Sequence, residues 1–120
     1  MIKYRAQFTQ IGPLVSEFVD NGILVLFGAN APEELAEFAI LHDGQDLVEP
    51  VAPGDLLAIG ADNFRVLAVG EVANTNLSAL GHLVLKFNGQ MVVEMPGDVC
   101  LEAKPLPPVQ VGMILTIQRD

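Results

Sequence analysis

Apolar and polar positions alternate from the start of the chain. Ile2, Tyr4, Ala6 and Phe8 interleave with Lys3, Arg5, Gln7 and Thr9, a period of two that predicts a strand with one face inward and one in water. Gly12-Pro13 ends that pattern, and Leu14, Val15, Phe18 and Val19 then recur at helical spacing until Asn21-Gly22, which predicts a short helix. Ile23 to Phe27 is an uninterrupted apolar run, read as a buried strand. Pro32 followed by Glu33 and Glu34 has the composition of a first helical turn, where proline fits and acids are favoured by the helix dipole. Phe38 to Leu41 reads as another strand, with His42 at its end.

The second half carries turn signals at short intervals. Pro53-Gly54 and Pro96-Gly97 suit the central positions of type II turns, and each is followed by Asp and an apolar run, Leu56 to Ile59 and Val99 to Leu101. Asn88-Gly89 predicts a type I′ hairpin joining Leu83–Phe87 to Met91–Val93. A helix is predicted from Asn74, as its cap, to Leu80, closed by Gly81. Pro105, Pro107 and Pro108 mark an extended connection, and Met113 to Ile117 a closing strand. With no βαβ alternation visible, these elements predict an all-β fold: a closed or nearly closed β-barrel of about eight short strands with two or three short helices. The two Pro-Gly-Asp turns hint at an internal duplication.

At 120 residues and 51% hydrophobic, the chain is expected to be a single domain, residues 1–120, able to hold a core without staples. Its one cysteine cannot form an internal disulfide. Its opening segment lacks the pattern of a leader, and its apolar runs fall far short of the about 20 residues that cross a bilayer. A soluble cytoplasmic protein is therefore expected. The formal net charge is −9, and the six basic residues (Lys3, Arg5, Arg65, Lys86, Lys104, Arg119) are scattered, which argues against nucleic acid and anionic membrane surfaces as partners.

Candidate chemistry concentrates on two histidines. His42 closes an apolar run and opens the turn Asp43-Gly44, and imidazole is the common side chain that is both largely neutral and nucleophilic near pH 7. Cys100 lies in the apolar stretch Val99–Leu101 and reads as a core residue, and no serine has the glycine-flanked setting of a hydrolase elbow. His82 follows the predicted capping glycine. It either satisfies backbone groups at the helix end or donates a hydrogen bond to a group carried on His42. Glu33, Glu34 and Glu37 read as a solvated helix face. A metal site built from His42, His82 and a carboxylate such as Asp43 lacks ligand spacing, and neither a metal nor a cofactor is expected.

The segments Val69-Gly70-Glu71-Val72-Ala73, Asn76-Leu77, Leu80-Gly81-His82, Phe87-Asn88-Gly89 and Pro96-Gly97, with Ala31-Pro32-Glu33-Glu34-Leu35 leading to Ile40-Leu41-His42, resemble the glucitol/sorbitol-specific IIA component of the bacterial phosphoenolpyruvate-dependent sugar phosphotransferase system (PTS). The resemblance runs over nearly the whole chain. It implies a phosphoryl carrier that takes its group on a histidine, here His42, from the histidine phosphocarrier protein and passes it to a cysteine of the cognate IIB component. It also implies association with a membrane sugar permease complex. Phosphoimidazole suits such a relay because its N–P bond transfers readily, whereas a serine ester would not. Two partners must reach the same nitrogen, so a shallow, exposed site is expected, and the Asp43 carboxylate is expected to repel an incoming phosphoryl group. The competing reading is a non-catalytic β-barrel that binds other proteins. In either case the apolar surface leaves room for a homodimer.

Overall fold

In the computed structural model, which describes residues 1–120, the opening alternation becomes β1 (Ile2–Ile11), with Tyr4, Ala6 and Phe8 buried and Arg5, Gln7 and Thr9 exposed. The pattern fails at its first step, since Ile2 is 47% exposed and Lys3 only 5%. The register of β1 against the last strand shifts between Ile2 and Tyr4, turning Lys3 inward. There its ammonium donates to Asp55 Oδ2 at 2.8 Å and to the Pro50 carbonyl at 2.9 Å, the pairing a buried charge requires.

The remaining elements are α1 (Val15–Val19), β2 (Ile23–Gly28), α2 (Glu33–Ala36), β3 (Ile40–His42), β4 (Leu56–Ile59), β5 (Asp62–Val69), α3 (Ala73–Leu80), β6 (Leu83–Lys86), β7 (Asp98–Leu101) and β8 (Ile114–Gln118). Eight strands close into a barrel in the order β1-β3-β2-β6-β7-β5-β4-β8. The all-β barrel expected from the hydrophobic pattern is the fold, with β5 added to the predicted strands. Its ladders are mixed, however: β2–β3 and β6–β7 run parallel. Parallel neighbours require a crossover, so β2, α2 and β3 form a βαβ unit where none was expected.

This unit explains the unbroken apolar run of β2. Leu24 and Leu26 join the barrel interior, a cluster that also holds Tyr4, Phe8, Phe64 and Ile117. Val25 and Phe27 join a second cluster with Ala39 and Leu41, against which Leu35, Ala36 and Phe38 pack. Both faces of β2 are covered, as in a parallel sheet.

Three local expectations are corrected. Asn88 does not take positive φ, so a type I′ turn is excluded. Its Oδ1 instead accepts from Gln90 N–H, and the chain leaves in the β6–β7 crossover, with Met91 and Val92 69% and 74% exposed rather than paired in a strand. Gly54 has φ +98°, as a type II turn requires, but Gly97 stays out of the positive-φ region. Asn74 does not cap α3. Its side chain accepts from Val51 N–H at 2.7 Å and donates to Val51 C=O at 3.0 Å, tying the helix to the segment before β4.

What the two Pro-Gly-Asp turns share is the role of their aspartates. Asp55 accepts from Ala52 N–H and Asp98 from Met95 N–H, each three residues back. Each also pairs with a lysine on another strand, Asp55 with Lys3 and Asp98 with Lys86 (2.7 Å). The strand pairing recurs as well, since β8-β1-β3-β2 and β4-β5-β7-β6 each run antiparallel, antiparallel, then parallel.

Candidate functional site

His42 is the last residue of β3, which lies between β1 and β2, opposite Phe8 on one side and Gly28 on the other. Two glycines allow the end of α3 to close over it. A Cβ on Gly28 would lie 2.9 Å from the Leu80 carbonyl oxygen, and one on Gly81 would lie 2.9 Å from both Gly28 N and His42 Cε1. Gly81 also has φ +64°, the left-handed conformation that ends helices. Its N–H bonds Leu77 C=O and that of His82 bonds Asn76 C=O, which closes α3 and leaves the Gly81 carbonyl directed at the imidazole.

The ring is held at both nitrogens. Nε2 lies 2.7 Å from Gly81 O, so it carries the proton and donates it. Nδ1 therefore presents its lone pair, which accepts from Gly44 N–H at 3.0 Å. Tyr4 meets the ring edge-on, with centroids 6.0 Å apart at 88°. Burial lowers the His42 pKa below 6.5, and this outweighs the opposing pull of the Gly81 carbonyl and Asp43. A neutral, nucleophilic imidazole is thereby secured near pH 7.

The expectation of a shallow, exposed histidine is corrected, because His42 is only 1% exposed. The turn Asp43–Gly44–Gln45 straps the Nδ1 side and Gly81 covers the other. Access is by a cleft of about 290 Å³ lined by 27–31, 42–45 and 77–81, with neither lysine nor arginine in its wall. Asp43 is turned to other work: its Oδ1 accepts from Gln7 N–H at 2.7 Å and its own N–H donates to Gln7 C=O. The carboxylate thus anchors the strap to β1 while the residue still lines the cleft.

His82 lies next to Gly81 in sequence, yet its ring makes no hydrogen bond or ring contact with His42. It stacks on Phe27 at 4.1 Å between centroids, and its Nδ1 lies 3.1 Å from Leu26 O. Consequently His42, His82 and Asp43 do not converge on a common point. Cys100 is buried at 1% exposure, and Glu33, Glu34 and Glu37 are exposed around α2, both as read from the sequence.

Sequence reasoning missed Tyr4 and Gly44. A Cβ on Gly44 would lie 2.4 Å from the Tyr4 hydroxyl, so the phenol packs directly against the strap. That hydroxyl is the one buried side-chain polar atom without a hydrogen-bond partner, an arrangement that costs about 1–3 kcal/mol. Burial, then Asp43 and Asp46, push its pKa up and keep it a protonated donor. The available signal was a tyrosine on an inward strand face, whose O–H needs a partner when buried.

Residues 3–116 match the family described as PTS system glucitol/sorbitol-specific IIA component. The chain is 35% identical over 104 residues to the PTS system glucitol/sorbitol-specific EIIA components of Shigella flexneri and of Escherichia coli K12, covering 87% of this chain and 84% of each relative. The crystal structure of a PTS system IIA component from Enterococcus faecalis V583 superposes with a TM-score of 0.81 at 25% identity, over 95% of this chain and 98% of that one.

Proposed function

Because the chain belongs to the glucitol/sorbitol-specific IIA family of the PTS, we propose that it is a phosphoryl carrier. His42 accepts a phosphoryl group from the histidine phosphocarrier protein and hands it to a cysteine of the cognate IIB component, for uptake and phosphorylation of glucitol/sorbitol. The observation that supports this best is a neutral imidazole at the cleft, held at both nitrogens.

In the first transfer an N–P bond forms on His42 as the donor's N–P bond breaks, and the electron pair of the broken bond stays on the donor nitrogen. The second transfer repeats this with the IIB thiolate as nucleophile. Either ring nitrogen must first give up a hydrogen bond. Attack through Nδ1 releases Gly44 N–H, while attack through Nε2 sacrifices both its proton and its bond to Gly81. Phosphorus NMR of the labelled protein identifies the nitrogen.

The electrostatics suit a relay rather than a store. No cationic side chain lines the cleft, the carbonyl end of α3 faces it, and a helix C-terminus disfavours an anion. The phosphoryl dianion is therefore weakly stabilised, which keeps its N–P bond reactive toward the next acceptor. His82 supports the site from behind by stacking on Phe27 and closing α3. No helix is long and apolar enough to cross a membrane. In this reading the carrier works in the cytoplasm and associates with the permease complex.

The test is incubation with phosphoenolpyruvate, the system's first enzyme and the phosphocarrier protein, followed by intact-mass measurement. A single phosphoryl group on His42, lost in acid and stable in base, is the expected result. An acid-stable, base-labile label would point to serine or threonine and sink the relay, and no label would favour the protein-binding barrel instead.

A further inference from the structure

His42 cannot be phosphorylated as it stands: its ring is 1% exposed and both nitrogens are engaged. The Asp43–Gly44–Gln45 strap covers Nδ1 through the Gly44 N–H. Against this strap presses the protein's one orphaned buried polar atom, the Tyr4 hydroxyl, 2.4 Å from where a Gly44 Cβ would stand. A buried polar group left unsatisfied calls for a reason, and strain held at a functional site is one such reason.

We propose that Tyr4 is a catalytic residue held behind the strap, its hydroxyl finding a partner, a phosphoryl oxygen on His42, only once the strap has moved. The closed, unphosphorylated state leaves the phenol unsatisfied and the open, phosphorylated state satisfies it, so the hydroxyl stabilises the phosphoryl group as it arrives. The cleft offers an incoming phosphoryl group no lysine or arginine, so a neutral, desolvated O–H becomes one of few donors available. An oxyanion next to such a donor is stabilised more than it would be in water. This inference rests on the proposed phosphoryl-carrier function.

Tyr4→Phe removes the hydroxyl and keeps the ring. The variant should melt no lower than wild type before phosphorylation, because the closed form loses its unpaired group. It should also accept phosphoryl groups about ten- to a hundredfold more slowly, the range that follows from such a hydrogen bond. Tyr4 is the only tyrosine and there is no tryptophan, so the protein's own fluorescence reports this phenol alone. Emission should change on phosphorylation, measured after the donor proteins are removed. A wild type that takes no label on His42 overturns the proposed function and this inference with it. A labelled wild type matched in rate by Tyr4→Phe overturns the inference alone, as does a slow variant that also melts early, which would assign Tyr4 to packing.

Discussion

A histidine sealed from water at the end of a strand titrates differently from a surface one. Burial holds the folded pKa of His42 below 6.5, so between that value and 6.5 the unfolded chain binds the extra proton more readily. His42 therefore contributes stability that is fully present above about pH 6.5 and is lost as pH falls toward the folded pKa. The Cε1–H resonance of His42 should titrate with a midpoint below 6.5, and a midpoint above it would contradict the buried neutral ring. His42→Ala should stay folded by circular dichroism yet take no label. His82→Ala should accept phosphoryl groups within a few-fold of the wild-type rate, since its ring faces Phe27 and Leu26. A drop of about a hundredfold, the size seen when an oxyanion donor is lost, would restore it as a direct phosphoryl partner.

The end of α3 is the element that makes the site. Gly81→Ala puts a side chain in the left-handed region and against Gly28 and His42. It should cost about 1–3 kcal/mol in denaturant unfolding and also disturb the imidazole, so stability and phosphorylation rate should fall together. Leu80, 55% exposed at the rim of the cleft, is the apolar side chain against which a donor protein delivering to His42 should dock. Leu80→Glu should raise the KM for the phosphorylated donor with little change in kcat, and chemical-shift mapping should place the contact around His42. The barrel, the terminal strands, the αL closure at Gly81 and the place of His42 at the end of a strand were all legible in the sequence, because periodicity and turn chemistry are local. Asn88-Gly89, Asn74 and the parallel ladders were not. Asn88-Gly89 carries a strong hairpin signal, yet the next strand pairs in parallel and so must be reached by a crossover. Asn74 has a better use for its amide on Val51 than on its own helix. Tyr4 and Gly44 lie forty residues apart in the numbering and meet only once the barrel closes.

Across the whole molecule, the inward turn of Lys3 ties β1 to the segment that opens β4. Asp55→Ala strands that ammonium in the interior and also frees Ala52 N–H. It should cost about 3–5 kcal/mol, a large share of a typical stability of about 5–15 kcal/mol, measured by urea unfolding. Lys3→Met combined with Asp55→Leu should recover much of the loss but not all of it. The closing seam of the barrel has its own bearing on how the chain reaches this state. β8 sits between β1 and β4, and Ile2 pairs with Gln118, so the first strand waits for a partner made after almost everything else. Until residues 114–118 are available, β1 and β4 are both unpaired sheet edges, the surfaces on which chains add to one another. A nascent chain on the ribosome, or one cut before β8, therefore carries two templates for aggregation, and folding in the cell depends on keeping them shielded until the last strand arrives.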